Sequence, residues 1–162
     1  MKRSFAQLVV VTSLTLILLL TSIAPAEAIT VNFTWQGNKG YSATGTFNYV
    51  QKTAPAILSE KGFGATEALE SFIVSFADPS NHPIKTYNNI IDSVSTSNYF
   101  QFNFNTITQD IIGSIDIGGE SPGDIYLKGT VDTDLSLIQV SDSGAEEIID
   151  SNSGRIVVQS LL

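Results

Sequence analysis

Four carboxylates lie close together near the end of the chain and could bind a hard cation. They are Asp142, Glu146, Glu147 and Asp150, which fall within nine residues. Ca²⁺ takes six to eight oxygen ligands, and carboxylates are a common source of them. The spacing does not match the Asp-x-Asp-x-Asp-Gly pattern of an EF-hand loop. The acidic residues are interpreted first as a rim that interacts only with water and guards strand edges, and a calcium site of another kind, formed by these four residues, is the alternative.

Other catalytic or metal chemistry has few candidates. His82 is the only histidine and there is no cysteine, so zinc sites with several histidines and cysteine nucleophiles are excluded. A nucleophile elbow of the Gly-x-Ser-x-Gly type is not predicted. A carboxylate pair could hydrolyse a glycoside, because that reaction requires only two acids at a set separation, but no spacing identifies a pair. We therefore predict a protein that is not an enzyme and assign no catalytic residues.

Exposed aromatic rings are a second source of binding chemistry, because the faces of sugars stack on them. Tyr99 and Tyr126 lie opposite the apolar parity of their strands, which predicts that both are exposed. Trp35 shares the parity of an apolar strand and is expected in the core. The face carrying Tyr99, Gln101 and Asn103 is therefore predicted to be a platform for a ligand.

The first 28 residues have the pattern of a cleaved secretory signal peptide. Lys2 and Arg3 precede an apolar stretch at residues 8–20, and Ala26-Glu27-Ala28 provides a small-x-small cleavage site. The apolar stretch is short of the roughly 20 residues that span a bilayer. We predict cleavage after Ala28, a secreted or periplasmic product, and a single domain over residues 29–162 without a membrane span.

The charge balance limits the partners. The 162 residues include 16 acidic and 8 basic side chains, and removal of residues 1–28 leaves a net charge of −9. Nucleic acids and anionic membranes are bound through clustered positive charge, so neither is an expected partner. The oligomeric state is left open.

The elements that must position these residues are strands. Apolar and polar residues alternate with a period of two along most of the chain after residue 28, as in the run of Phe100, Phe102 and Phe104. About nine such strands predict an all-β fold, an antiparallel β-sandwich, with a small closed β-barrel as the alternative. Residues 51–66 predict a long loop with a helical turn near residues 65–69, and residues 145–149 are the best candidate for a short helix.

One resemblance adds to this interpretation. The runs at residues 69–81, 83–87 and 99–104 contain a strand, an Asp-Pro turn and an aromatic strand. In these features the chain resembles a group of uncharacterised exported cyanobacterial proteins, many of which carry a C-terminal sorting tail of the PEP-CTERM kind. The chain ends at Leu162 without the Pro-Glu-Pro motif of that tail. The resemblance implies export and a β-domain, and it implies no activity.

Three functions follow in order of preference. The first is an exported, non-catalytic envelope or extracellular-matrix protein that binds a polysaccharide or a surface protein, with calcium as a candidate cofactor. The second is a structural surface component that associates with itself through a strand edge. The third is a carboxylate-based enzyme acting on carbohydrates, which would need a cleft with two close acids, one of raised pKa.

Overall fold

A computed structural model describes residues 27–161, and this part of the chain contains fourteen strands and no helix. The strands are β1 (Ala28–Gln36), β2 (Ser42–Val50), β3 (Ile57–Lys61), β4 (Gly64–Ala65), β5 (Leu69–Ala77), β6 (Pro83–Ile91), β7 (Val94–Ser95), β8 (Gln101–Asn105), β9 (Asp110–Ile111), β10 (Ser114–Gly118), β11 (Ile125–Thr130), β12 (Asp134–Val140), β13 (Glu146–Asn152) and β14 (Ile156–Leu161). Most of the predicted signal peptide, residues 1–26, lies outside the described residues. Within residues 27–161, no helix has the length and apolar character needed to cross a membrane.

The strands form two antiparallel sheets that do not close into a barrel. The first sheet has the order β14-β1-β2-β5-β6-β7-β4, and the second has the order β13-β12-β11-β10-β8-β3, with β9 paired to β8. Hairpins connect β1 to β2, β5 to β6, β10 to β11 and β11 to β12. The predicted antiparallel β-sandwich is confirmed.

Period-two alternation decides which side of each strand is buried. In β1, Val31, Phe33 and Trp35 are buried, and the polar residues between them lie on the outer surface of the first sheet. The predicted core position of Trp35 is confirmed. Because successive side chains point to opposite faces of a strand, this alternation also fixes the register of β1 against β2.

An aromatic layer joins the two sheets. Phe47 on β2 contacts Phe102 and Phe104 on β8 edge to face, with 4.9 Å between ring centroids in both pairs. Phe72 on β5 contacts Phe100 and Phe102 in the same way, at 5.2 and 4.8 Å. Edge-to-face contacts place the positive edge of one ring on the negative face of the other. The three phenylalanines before and within β8 therefore fill the core, as their spacing predicts.

Two local predictions are wrong. Residues 51–66 are not a continuous loop, because β3 pairs with β8 from Ile57↔Asn105 to Lys61↔Gln101, and the chain then forms β4 without a helical turn at 65–69. Residues 145–149 are not a helix, because the strand beginning at Glu146 pairs with β12. Both segments are too short for their periodicity to be decisive, and hydrogen bonding to a neighbouring strand determines their conformation.

Candidate functional site

A β-bulge in β6 directs a buried amide towards the second sheet. Phe72 pairs with Ile90 and Ile73 pairs with Asn88, so Asn89 is an extra residue on its strand. Its Nδ2 donates to the Gly118 carbonyl at 2.7 Å, and the Gly118 N–H donates to its Oδ1 at 3.0 Å. Bulges re-aim side chains in this way. The two hydrogen bonds fix β6 of the first sheet to the end of β10 in the second.

Two further side chains of β6 bind the loop of residues 119–124, which joins β10 to β11. The Tyr87 hydroxyl accepts the Ile125 N–H at 2.9 Å and donates to Asp124 Oδ1 at 3.2 Å, and the Lys85 ammonium forms an ion pair with the same carboxylate. Burial raises the pKa of Asp124, but hydrogen bonds from Lys85 and the Ser121 N–H outweigh burial and lower it. The Asp124 carboxylate is therefore ionised and holds the loop in place.

These contacts form one wall of a cleft of about 300 Å³, which we call the Tyr99 cleft. Its other wall is the segment of residues 96–99, which connects β7 to β8. The lining consists of hydroxyl, amide, carboxyl and glycine groups with two tyrosines: Tyr87, Asn88, Asn89, Thr96, Ser97, Asn98, Tyr99, Gly118, Gly119, Glu120, Ser121 and Asp124. The Tyr99 ring lies at the rim and is 59% exposed. Its predicted exposure is confirmed.

Glu120 joins the Tyr99 cleft to a group of buried charges on the outer face of the second sheet. Its side chain is only 11% exposed, and its Oε1 is buried without a hydrogen-bond partner among the described residues. Lys128 Nζ lies 2.7 Å from Asp116 Oδ2 and 3.8 Å from Glu120 Oε1. Burial and the neighbouring Asp116 carboxylate raise the pKa of Glu120 to about 7, although Lys128 opposes this. Burial also raises the pKa of Asp116. The two acids therefore share a proton near neutral pH.

Tyr126 lies beneath these charges and is not the exposed ring that its parity predicts. It is 2% exposed, with the Lys128 ammonium 5.8 Å from the ring centroid. Burial and the negative charge of nearby Glu146 raise the pKa of Tyr126. The prediction of exposure is wrong because long charged side chains fold over the ring and cover it.

The three predicted platform residues separate in the structure. Tyr99 lines the cleft, whereas Gln101 and Asn103 lie further along β8 and do not. Gln101 is paired with Asp116 of β10. The Asn103 amide accepts from Ser59 Oγ at 2.7 Å and donates to the Ser114 carbonyl at 2.7 Å. Asn103 therefore supports the sheet.

The expectation that no Gly-x-Ser-x-Gly motif follows the signal peptide is wrong, because the loop of residues 119–124 contains one. Gly119-Glu120-Ser121-Pro122-Gly123 has the Gly-x-Ser-x-Gly spacing. A nucleophile elbow places its serine between a strand and a helix, whereas this serine lies between two strands. His82 lies on an exposed turn, and its ring is 3.3 Å from Asp78. Within residues 27–161, Ser121 forms no hydrogen bond with that histidine.

The four predicted calcium ligands do not converge. Among the described residues, no three histidine, cysteine or acidic side chains are placed to hold a metal ion. Asp142, Glu146 and Glu147 are exposed. Asp150 is 1% exposed. Glu146 and Glu147 are neighbours in β13 and point to opposite faces of the strand. A bulge between Ile148 and Asp150 shifts the register, so Asp150 does not share the face of Glu146.

The Asp150 carboxylate instead accepts three backbone N–H groups. Oδ1 accepts from Lys39 at 2.9 Å and Ser151 at 2.7 Å, and Oδ2 accepts from Tyr41 at 3.0 Å. Lys39 and Tyr41 belong to the β1–β2 turn of the first sheet. A Cβ at Gly37 of that turn would lie 2.2 Å from Asp150 Oδ2, so only glycine allows this approach. Asp150 therefore joins the two sheets at one end of the sandwich.

Sequence reasoning missed Tyr87, Asn89 and Glu120. Asn89 and Ile90 are consecutive buried residues of β6, so the alternation of buried and exposed positions is interrupted there. This interruption is the one local signal of a bulge. For Glu120 the only sequence signal of a loop position is the number of glycines around it. Its proximity to Asp116 could not be predicted, because it depends on how the loop folds back over the sheet.

Substitution of Glu120 tests the shared proton. Because the pKa of Glu120 is near 7 in the folded protein and near 4.5 unfolded, the folded state binds more protons between these values. Its contribution to stability is therefore greatest below pH 4.5 and is lost as the pH rises through 7. We expect Glu120→Gln to be more stable than wild type at pH 8 by about 1–2 kcal/mol, allowing for solvent screening.

Urea unfolding at pH 5 and pH 8 measures this effect, with the exposed Glu147→Gln as the control for loss of one negative charge. Equal stability of wild type and Glu120→Gln at pH 8 would contradict the shared proton.

Substitution of Asp150 separates its structural role from a role in binding calcium. Asp150→Asn places an amide donor against backbone donors, so we expect a loss of about 1–3 kcal/mol. The loss should be the same in EDTA and in millimolar CaCl₂ when thermal unfolding is measured. Asp142→Asn, at an exposed carboxylate, should change little. A calcium-induced rise in the wild-type Tm that Asp150→Asn abolishes would show that Asp150 is a ligand.

We base the proposed function on the geometry of the Tyr99 cleft, because comparisons with known proteins provide no further information. No protein-family model, curated protein or solved structure matches this chain.

Proposed function

We propose that the protein is an exported, non-catalytic module that binds a neutral polysaccharide of the cell envelope or extracellular matrix in the Tyr99 cleft. The observation that carries the proposal is the exposed Tyr99 ring beside a recess lined by amides, hydroxyls and a protonatable carboxyl. A sugar presents an apolar ring face and a rim of hydroxyls. The Tyr99 ring can stack on the apolar ring face, and the polar lining of the cleft can form hydrogen bonds with the hydroxyls.

The charges of the cleft favour a neutral sugar. Glu120 and Asp124 lie in its wall, and both nearby lysines, Lys85 and Lys128, are already paired with carboxylates. An anionic polysaccharide would meet like charge here and on a chain of net charge −8. A protonated Glu120 can donate a hydrogen bond to a hydroxyl, and an ionised one can accept it.

The acid pair supports binding more than hydrolysis. A glycosidase places its two carboxyl groups about 5 Å or more apart on either side of the bond to be broken. Asp116 and Glu120 instead lie next to the same ammonium group, at 2.7 and 3.8 Å from Lys128 Nζ, and Asp116 is buried outside the lining of the cleft. The arrangement is that of an acid pair with a structural role, in which only Glu120 lines the cleft and can contact the ligand.

The predicted signal peptide and the resemblance to exported β-proteins support the extracytoplasmic part of the proposal. A domain held outside the inner membrane would meet envelope polysaccharide directly. Selectivity for one sugar would come from the amides of Asn88 and Asn98, since each offers both a donor and an acceptor.

Removal of the Tyr99 ring tests the proposal. Binding is measured by affinity electrophoresis with residues 29–162 on cellulose derivatives, β-1,3-glucan, mannan and soluble chitin, with alginate as the anionic comparison. We expect at least one neutral polymer to bind and Tyr99→Ala to weaken it about tenfold, the equivalent of about 1.4 kcal/mol. Tyr99→Phe keeps the ring and should retain most of the affinity.

Ile107→Ala is the matched control, because Ile107 is also exposed and lies at the opposite end of β8. Circular dichroism checks that each variant is folded. Absence of binding to every neutral polymer, or equal binding by wild type and Tyr99→Ala, would contradict the proposed function.

A further inference from the structure

The outer face of the first sheet carries two rows of uncharged side chains across four neighbouring strands. One row is Asn32, Thr46, Ile73 and Asn88, and the next is Thr34, Thr44, Ser75 and Thr86. Neighbouring strands are about 4.8 Å apart, so each row is about 14 Å across. Ile73, at 42% exposure, is the one large apolar side chain in these rows.

Hydrogen bonds within the rows hold part of this surface in place. Thr46 Oγ1 donates to Asn32 Oδ1 at 2.7 Å, and the hydroxyls of Ser75 and Thr86 are 2.7 Å apart. The remaining donors and acceptors face outward. Preorganised hydroxyl and amide groups lower the entropy lost when a ligand binds.

Three shallow recesses run along this face and lead to the Tyr99 cleft. A recess of about 310 Å³ shares Thr34 with a central recess of about 250 Å³, which shares Ile73 with a third of about 710 Å³. Asn88 lines both the third recess and the Tyr99 cleft. Each recess therefore adjoins the next one along the face.

Among the three recesses of this face, charged residues line the first and the third but not the central one. Arg155 lines the first recess, and Glu70 and Asp92 line the third, whereas the central recess has no charged residue. In a chain with 16 acidic residues, this neutral stretch is distinct from the rest of the surface.

We propose that this face extends the Tyr99 cleft and that its occupant is a linear, neutral polysaccharide chain, so that the protein recognises an extended polymer. The inference rests on the proposed function of the cleft. Hydroxyls and amides in rows complement a polymer whose hydroxyls also repeat. An anionic polymer lacks cationic partners along the centre. A protein interface would need a contiguous apolar core, whereas the exposed apolar side chains along the path are Val157, Ile73 and Ile91, and Thr34 and Thr44 separate the first from the other two.

The test combines ligand length with a variant on the face. Oligosaccharides of increasing length are prepared from the neutral polymer that binds best, and their affinities for residues 29–162 are measured by calorimetry. We expect affinity to rise at least tenfold between the shortest ligand that fills the cleft and chains long enough to cross the face. Thr44→Glu, which places charge and bulk in the central recess, should remove that gain and leave the affinity of short ligands unchanged.

Thr34→Glu is a second variant on the same path. The matched control is Thr133→Glu, which adds the same charge at an exposed turn of the second sheet. Affinity that does not depend on length, or long-chain affinity unchanged in both face variants, would overturn the inference while leaving cleft binding intact. If the wild-type protein binds none of the neutral polymers or oligosaccharides, the proposed function itself is contradicted. Sedimentation that shows a wild-type dimer abolished by Thr44→Glu would assign the face to a second copy and also overturn the inference.

Discussion

The edge-to-face contacts of Phe47 and Phe72 with the phenylalanines of β8 are the interaction on which the rest of the structure depends. They are the contacts at which the two sheets meet in the middle of the molecule, and they set the distance between the sheets. Truncation of a buried phenylalanine to alanine typically costs about 3–5 kcal/mol, a large part of the stability of a domain. Every polar contact between the sheets requires this spacing. The aromatic layer therefore determines where the loops around it can bind one another.

Buried polar groups then fix the ends of the sandwich. Asn89 binds the backbone of Gly118 on one side, and Asp150 binds the β1–β2 turn on another. A buried amide or carboxylate without partners would be costly, so each also enforces one relative position of the two sheets. The same arrangement places the loop of residues 119–124 beside Tyr99. The cleft is thus a consequence of how the sheets are joined.

The sequence predicts the layers of this protein better than its contacts. Alternation around Trp35 and Phe102 identifies strands and their buried faces, because period two is a local property of the chain.

The strand at Glu146 could not be distinguished from a short helix, since its conformation depends on pairing with β12. Tyr126 has the parity of an exposed residue but is covered by Lys128. The acid pair could not be predicted either, because Glu120 reaches Asp116 only through the fold of its loop.

The most direct test of the account is a ¹⁵N–¹H NMR titration of residues 29–162 with a short neutral oligosaccharide. Chemical shifts report the environment of each backbone amide, so they locate a ligand without substitution of any residue. We predict that the backbone amides of residues 96–99, 119–121 and 123–124, with those of Asn88 and Asn89, shift most and saturate together. Shifts confined to β13 and β14, or no shifts with any neutral oligosaccharide of the panel, would contradict the central claim that the Tyr99 cleft binds sugar.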